Sequence, residues 1–201
     1  IVSARHIPST VPPPASLTSI IAPTSATIDY SVTREQDAVR ETLRVRLKSA
    51  DALPKRIPLR VTPGVDVQIS DESVTQPVPS LTRQNSGGTE EIFLEIPAGV
   101  DTSNTLDILL VSLRPLAAEM PAALISLPDA DHTVGALQPP LVESNLSISF
   151  TNDDVAGEVT EPIPYPTEPF ANAITIRNLA ERTSRQEVSG LAMALVERNH
   201  G

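Results

Sequence analysis

Asp129, Asp131 and His132 form a compact group just after Pro128, and oxygen ligands spaced one residue apart can share a divalent cation. Asn152, Asp153 and Asp154 make a second such group. Calcium asks for about six to eight oxygens, held in its best-known site by a glycine-assisted loop, and neither group has that length or pattern. Solvated loop acids are the plainer reading of both. A hydrolytic triad built on His132 would need a serine and an acid delivered by the fold, and no neighbour in sequence nominates them. The other histidines, His6 and His200, lie near the two ends of the chain. Phosphate loops of the GxxxxGKS kind, GxGxxG, HExxH and GxSxG are absent, and Gly87-Gly88 after Asn85-Ser86 has ordinary turn composition. With no cysteine, disulfides, zinc-thiolate sites and thiol catalysis are excluded together. Paired carboxylates of the glycosidase type need only acids held about 5 to 9 Å apart, which the chain could supply. Its five aromatic residues, Tyr30, Phe93, Phe150, Tyr165 and Phe170, leave little for the stacking platforms of a sugar cleft. The expectation is a non-enzymatic protein with no cofactor and no metal.

Charge is the next source of chemistry. The formal net charge of -10 is unevenly placed. Residues 34 to 60 hold eight Lys or Arg against four Asp or Glu, a local +4, whereas residues 61 to 172 hold two against seventeen, a local -15. Direct nucleic-acid binding, which runs on phosphate neutralisation, is not expected of such a chain. The basic strip of Arg40, Arg44, Arg46, Arg56 and Arg60 reads either as a solvated face pairing with acids of its own fold or as a surface complementary to the acidic face of another subunit.

The elements that must carry these residues are announced by proline, 20 residues in 201, set between runs of alternating apolar and polar residues. Usual proline content is about 5%. Ile28, Tyr30 and Val32; Leu43, Val45 and Leu47; Ile57, Leu59 and Val61; Val65, Val67 and Ile69; Ile92, Leu94 and Ile96; and Leu146, Ile148 and Phe150 each alternate as a half-buried strand does. Leu106 to Val111 is nearly all apolar, as a strand covered on both faces would be. Thr33 and Gln36 fit a capping box, with Val39, Leu43 and Leu47 four residues apart, so a short helix or turn is placed at 33 to 41 and a strand at 42 to 48. At the C-terminus Ser184 and Glu187 fit another box ahead of Val188, Leu191 and Leu195, giving a short helix, while Leu191 to Val196 fits a buried strand equally.

These elements predict a mainly β protein, an antiparallel β-sandwich or jelly roll. The chain divides into an extended proline-rich arm (1–25), a β-sandwich body (26–151), a proline-rich linker or strap (152–172) and a C-terminal tail (173–201) packing on the body or on a neighbour. It begins at Ile1, as a processed form or a segment of a longer precursor would, and no stretch reaches the roughly 20 apolar residues of a membrane span. Asn145-Leu146-Ser147 matches a glycosylation sequon, a pattern short enough to arise often by chance. The alternation over 26–47 and the phrase Ile96-Pro97-Ala98-Gly99 before 104–110 resemble surface β-sandwich modules such as Calx-β or fibronectin-like domains, although the calcium-binding acids of Calx-β modules have no match here.

The functional expectation is a structural or assembly subunit of a surface layer, a virion capsid or protruding surface protein, located in a virion or at a cell surface. Other protein subunits, the same chain or a different one, are its expected partners in a homo-oligomer or larger assembly. Ile7, Val11, Leu17, Ile20 and Ile21 of the arm and Leu191, Met193 and Leu195 of the tail are the candidate docking groups. The alternatives are a bacterial surface-fibre subunit, an extracellular recognition module reading its ligand with loops 82–90 and 128–140, and, last, a carboxylate-based hydrolase using Asp129 or Asp131.

Overall fold

The computed structural model describes residues 24–50, 53–72, 78–86, 89–97, 105–151, 156–170 and 173–180. In chain order the strands are β1 (Thr24–Glu35), β2 (Ala38–Ser49), β3 (Arg56–Val61), β4 (Gln68–Ile69), β5 (Ser80–Ser86), β6 (Thr89–Glu95), β7 (Thr105–Pro115), β8 (Glu119–Pro121), β9 (Ile125–Ser126), β10 (Ala130–Thr133), β11 (Ala136–Leu137), β12 (Leu146–Thr151), β13 (Ala156–Glu158), β14 (Ile163–Pro164) and β15 (Ala173–Asn178). A 3-10 turn at Val142–Ser144 precedes β12. The protein is mainly β, and no helix among the described residues is long and apolar enough to cross a membrane.

Strands β1 and β2 form the spine. They pair antiparallel over their whole length, from Thr24 opposite Ser49 to Glu35 opposite Ala38. Gln36 and Asp37 make the turn, with Gln36 at φ 53, the left-handed conformation that fits a two-residue hairpin to the twist of its strands. The turn expected within 33 to 41 is therefore here, but no helix is. A four-residue apolar spacing satisfies a helical stripe and a strand face alike, because four is a multiple of two. Val45, which breaks the helical stripe yet shares the parity of Val39, Leu43 and Leu47, settles the strand.

Three sheets are built around this spine. The largest runs β14-β11-β1-β2-β7-β4, with β10 also pairing with β1. The second runs β13-β12-β15-β8 and the third β5-β6-β3-β9. Most pairings are antiparallel, as expected. At one edge of β1, however, β10 lies parallel along Thr24–Thr27 and β11 parallel at Tyr30. Parallel neighbours need a long connection, and here the chain passes through β2 to β9 before returning. Two further expectations are corrected. Only Gln68 and Ile69 of the expected 65–69 strand enter a ladder, because after the Pro63-Gly64 turn Val65 and Val67 bury themselves against Ala123 in a small separate cluster. Strand β7 is covered on one face only: Leu106, Ile108 and Leu110 are buried, Leu109 and Val111 half-buried and Leu113 exposed.

The main core draws on every sheet, with Ile28, Leu43, Leu47 and Ile108 from the first, Ile148, Ile174 and Ile176 from the second, and Ile57, Leu59 and Leu94 from the third. Each such side chain contributes about 1.5–3 kcal/mol on burial. The 152–172 stretch supplies β13 and β14 as well as the buried Val159 and Tyr165. Pro164 sits in β14, the terminal strand of its sheet, where a missing backbone donor is tolerated.

Gly135, between β10 and β11, is where these pieces approach most closely. A Cβ built there would overlap the backbone carbonyl of Ile28, and the Gly135 carbonyl accepts a hydrogen bond from Tyr165 N at 2.8 Å. Gly135→Ala is expected to destabilise by at least about 3 kcal/mol in denaturant titration, since backbone rather than a flexible side chain must yield. Gly64, at φ 75 with open space where its Cβ would be, should cost only about 1 kcal/mol on the same change. Equal, small effects at both positions would contradict the close approach of Gly135 to β1.

Candidate functional site

The candidate site lies where the third sheet meets the edge of the first. Arg60, near the end of β3, is the ladder partner of Ser126 in β9. The chain then turns through Leu127 and Pro128 into β10, whose alternation sends Ala130 and His132 to the side shared by buried Thr24 and Ala26, and Asp131 and Thr133 to the other. Among the described residues β10 pairs with β1 alone, and on this inner side Ala130 and His132 are half-buried. A groove of about 390 Å³ opens there, closed on its far side by residues 167–170. Arg60, His132 and Glu168 line it with polar groups, and Leu127, Pro128, Pro169 and Phe170 give it an apolar lining.

Tyr165 holds the far wall in place. Its hydroxyl donates to Ile125 O and accepts from Ile125 N, both at 2.9 Å. Its own N–H reaches Gly135 O, so the segment leading to 167–170 is fastened to β9 and to the β10–β11 connection at once. Burial pushes the Tyr165 phenol well above its usual pKa.

A buried polar cluster organises the interior beside β9. Glu41 has no exposed surface. It accepts from Tyr30 Oη at 2.7 Å, from Arg114 Nε at 3.0 Å and Nη2, and from the backbone N–H of Ala123. Arg114 also donates to Pro121 O at 2.6 Å. Burial raises the Tyr30 pKa well above the ordinary phenol value, and the adjacent Glu41 carboxylate adds to it. Ser112, opposite Glu41 in the β2–β7 register, has a buried hydroxyl with no hydrogen-bond partner among the described residues.

The basic strip is mostly neutralised within the fold. Arg40 pairs with Glu35 at 3.6 Å, Arg44 grips Asp107 through Nε and Nη2, and Arg46 pairs with Asp29. Arg56 meets Glu95 at 3.0 Å and lies 3.6 Å from the centre of the Phe93 ring. Arg60 alone of the five has no acid partner among the described residues, and it borders the groove. Strand alternation divides the Asp129, Asp131 and His132 group, leaving both acids exposed while His132 faces the groove. No set of three metal-ligating side chains gathers among the described residues. Asn152, Asp153 and Asp154, and the eight docking groups Ile7, Val11, Leu17, Ile20, Ile21, Leu191, Met193 and Leu195, lie outside the described residues, as does the C-terminal helix or strand. Of the two expected recognition loops, 82–90 is largely the β5–β6 hairpin, while 128–140 carries β10 and β11 and does border the groove.

Comparison with protein families finds no match, and comparison with curated proteins finds none either. Among solved structures, a two-domain M1 zinc metallopeptidase mutant bound to L-tryptophan aligns with 78% of this chain and 42% of its own, at 10% identity and a TM-score of 0.23. The chain thus spans less than half of that protein, and a likeness at that score carries no argument about fold or activity.

The two tyrosines generate a pH prediction. In the unfolded chain both titrate near pH 10, and in the folded protein both hold their protons to higher pH. Their contribution to stability is therefore complete below about pH 10 and is lost above it, as the unfolded state releases its protons first, by about 1.4 kcal/mol per pH unit for each tyrosine. Tyr165→Phe is expected to cost about 1–2 kcal/mol at neutral pH, by leaving both Ile125 backbone groups without their partner, and to make the alkaline decline shallower. Denaturant midpoints measured from pH 8 to 12 check both, and an unchanged alkaline slope would contradict the burial of this phenol.

Proposed function

We propose that this chain is a non-enzymatic structural subunit, a β-sandwich or jelly-roll domain that works by contact with other subunits in a surface layer. A virion capsid or protruding surface protein is the form that fits best, with a bacterial surface fibre as the alternative. The sandwich reading rests on the large apolar cluster to which all three sheets contribute. The observation that carries the assembly reading is a set of large aliphatic side chains held out from the body. Val142 is 90% exposed and Leu141 67% on the 3-10 turn, Val134 is 81% exposed between β10 and β11, and Leu113 is 60% exposed near the end of β7. Each would contribute about 1.5–3 kcal/mol if a neighbour covered it. Local pairing of Arg40, Arg44, Arg46 and Arg56 favours contacts that are apolar and extended over contacts between a basic and an acidic face. In this reading the extended reach belongs to the arm ahead of β1 and to the part of the tail that follows β15, since β15 itself lies in the second sheet with Ile174 and Ile176 in the core, and the groove supports a second reading, an extracellular recognition module.

Light scattering coupled to size-exclusion chromatography tests the proposal on the whole chain, on a chain starting at Thr24, where β1 begins, and on Leu141→Asp/Val142→Asp. Oligomers in the whole chain that are lost or reduced on removing the arm or charging the turn are the expected result, with little change between low and high salt. A monomer in every form would overturn self-assembly.

A further inference from the structure

We propose that the groove between β3, β10 and the 167–170 turn binds a small organic carboxylate carrying a flat apolar group. The proposal stands independently of self-assembly. Two cationic or hydrogen-bond-donating side chains reach the groove from different sheets, Arg60 from β3 and His132 from the inner side of β10. Arg60 is the strip arginine whose charge no acid of the described residues meets, so its planar fork is available for bidentate capture of a carboxylate. The 167–170 turn adds the apolar Pro169 and Phe170 beside the polar Thr167 and Glu168. Phe170 is 43% exposed, and with Pro169 and Leu127 it gives the groove its apolar surface. A cationic end and a ring-and-proline wall within about 390 Å³ suit one carboxylate and one ring, a volume ordinary for a small-ligand site.

Glu168 narrows the choice. Its carboxylate stands in the same lining, in a chain of net charge -10, so polyanions are repelled more strongly than a single negative charge placed at Arg60. The carboxylate could belong to a free aromatic acid or to the C-terminal residue of a peptide. Both present the same chemistry to Arg60, and they differ in whether an amide precedes the ring-bearing carbon.

Titration calorimetry of the full chain with phenylacetate, with the peptide acetyl-Gly-Phe bearing a free carboxylate, and with its C-terminal amide tests this directly. Binding of at least one of the two acids and at least tenfold weaker binding of the amide are expected. Tighter binding of the peptide acid identifies a chain terminus as the natural ligand, and tighter binding of phenylacetate identifies a free acid. Arg60→Gln should weaken binding at least tenfold, and Phe170→Ala should weaken it several-fold. Both residues are exposed, so the thermal midpoint should stay near that of the parent chain. Failure of both acids to bind, equal binding of the amide, or full affinity in Arg60→Gln would each overturn the proposal.

Discussion

The buried carboxylate of Glu41 is the constraint to which the three sheets answer. The segment Ala122–Leu124, between β8 of the second sheet and β9 of the third, is tied in three directions. Ala122 N donates to Ile174 O of β15 at 2.9 Å. Thr62, just past β3, donates its N–H to Leu124 O and its hydroxyl to Ala122 O, and accepts from Leu124 N. Ala123 N donates to Glu41 of β2. The sheets thus share one short hub, and Glu41 is the first sheet's hold on it. A charge this deep costs several kcal/mol to desolvate, and here donors from Tyr30, Arg114 and Ala123 offset that cost. Apolar replacement of a whole buried ionic group is often neutral in stability, whereas removing one partner alone is costly, so the group matters through its pairing. A one-residue slip of β2 would turn Glu41 outward and Arg40, Arg44 and Arg46 inward, which leaves these charges in the wrong medium.

The groove inherits its shape from that hub. Ile125 follows Leu124 directly, and its backbone is the anchor for Tyr165, which in turn fixes the turn carrying Glu168 and Phe170. Arg60 sits two residues before Thr62, the hub's contact with the third sheet. The positions of the groove's two walls therefore follow from one set of hydrogen bonds, made by the Thr62 and Tyr165 hydroxyls to the backbone of 122–125. Its edge character follows from β10, a four-residue strand with one neighbour. The surface elsewhere is divided between an outer face where Asp29, Arg44, Arg46 and Asp107 compensate one another across β1, β2 and β7, and projecting aliphatics for which the described residues offer no cover.

Much of this was legible where the sequence signal is local. Two-residue alternation located β1, β2, β3, β6 and β12; the first four bury one face only, whereas β12 also buries Ser147 between Leu146 and Ile148. It failed at 33–41, where a four-residue spacing fits both periods, and at 65–69, where alternation of burial persists without a ladder partner. The apolar run of β7 implied cover on both faces, yet its outer residues remain half-exposed. Glu41, Ser112 and Arg114 had been readable in principle: each occupies a core-side position in its strand's alternation, Glu41 between Val39 and Leu43 and the other two in step with Leu106, Ile108 and Leu110. The groove was not readable, since Arg60, His132 and Phe170 meet only through the arrangement of sheets. The parity that separates His132 from Asp131 was visible, but without a strand assigned to 130–133 it had no meaning.

A double-mutant cycle on Glu41 and Arg114 addresses the hub most directly. Glu41→Leu and Arg114→Leu are each expected to lower unfolding free energy by about 3–5 kcal/mol, because each strands a buried partner, while the double variant should lose much less than their sum. A coupling of at least about 2 kcal/mol is expected between Glu41 and Arg114. Strictly additive losses would mean that the two side chains act separately and that the meeting of the sheets does not depend on their pairing.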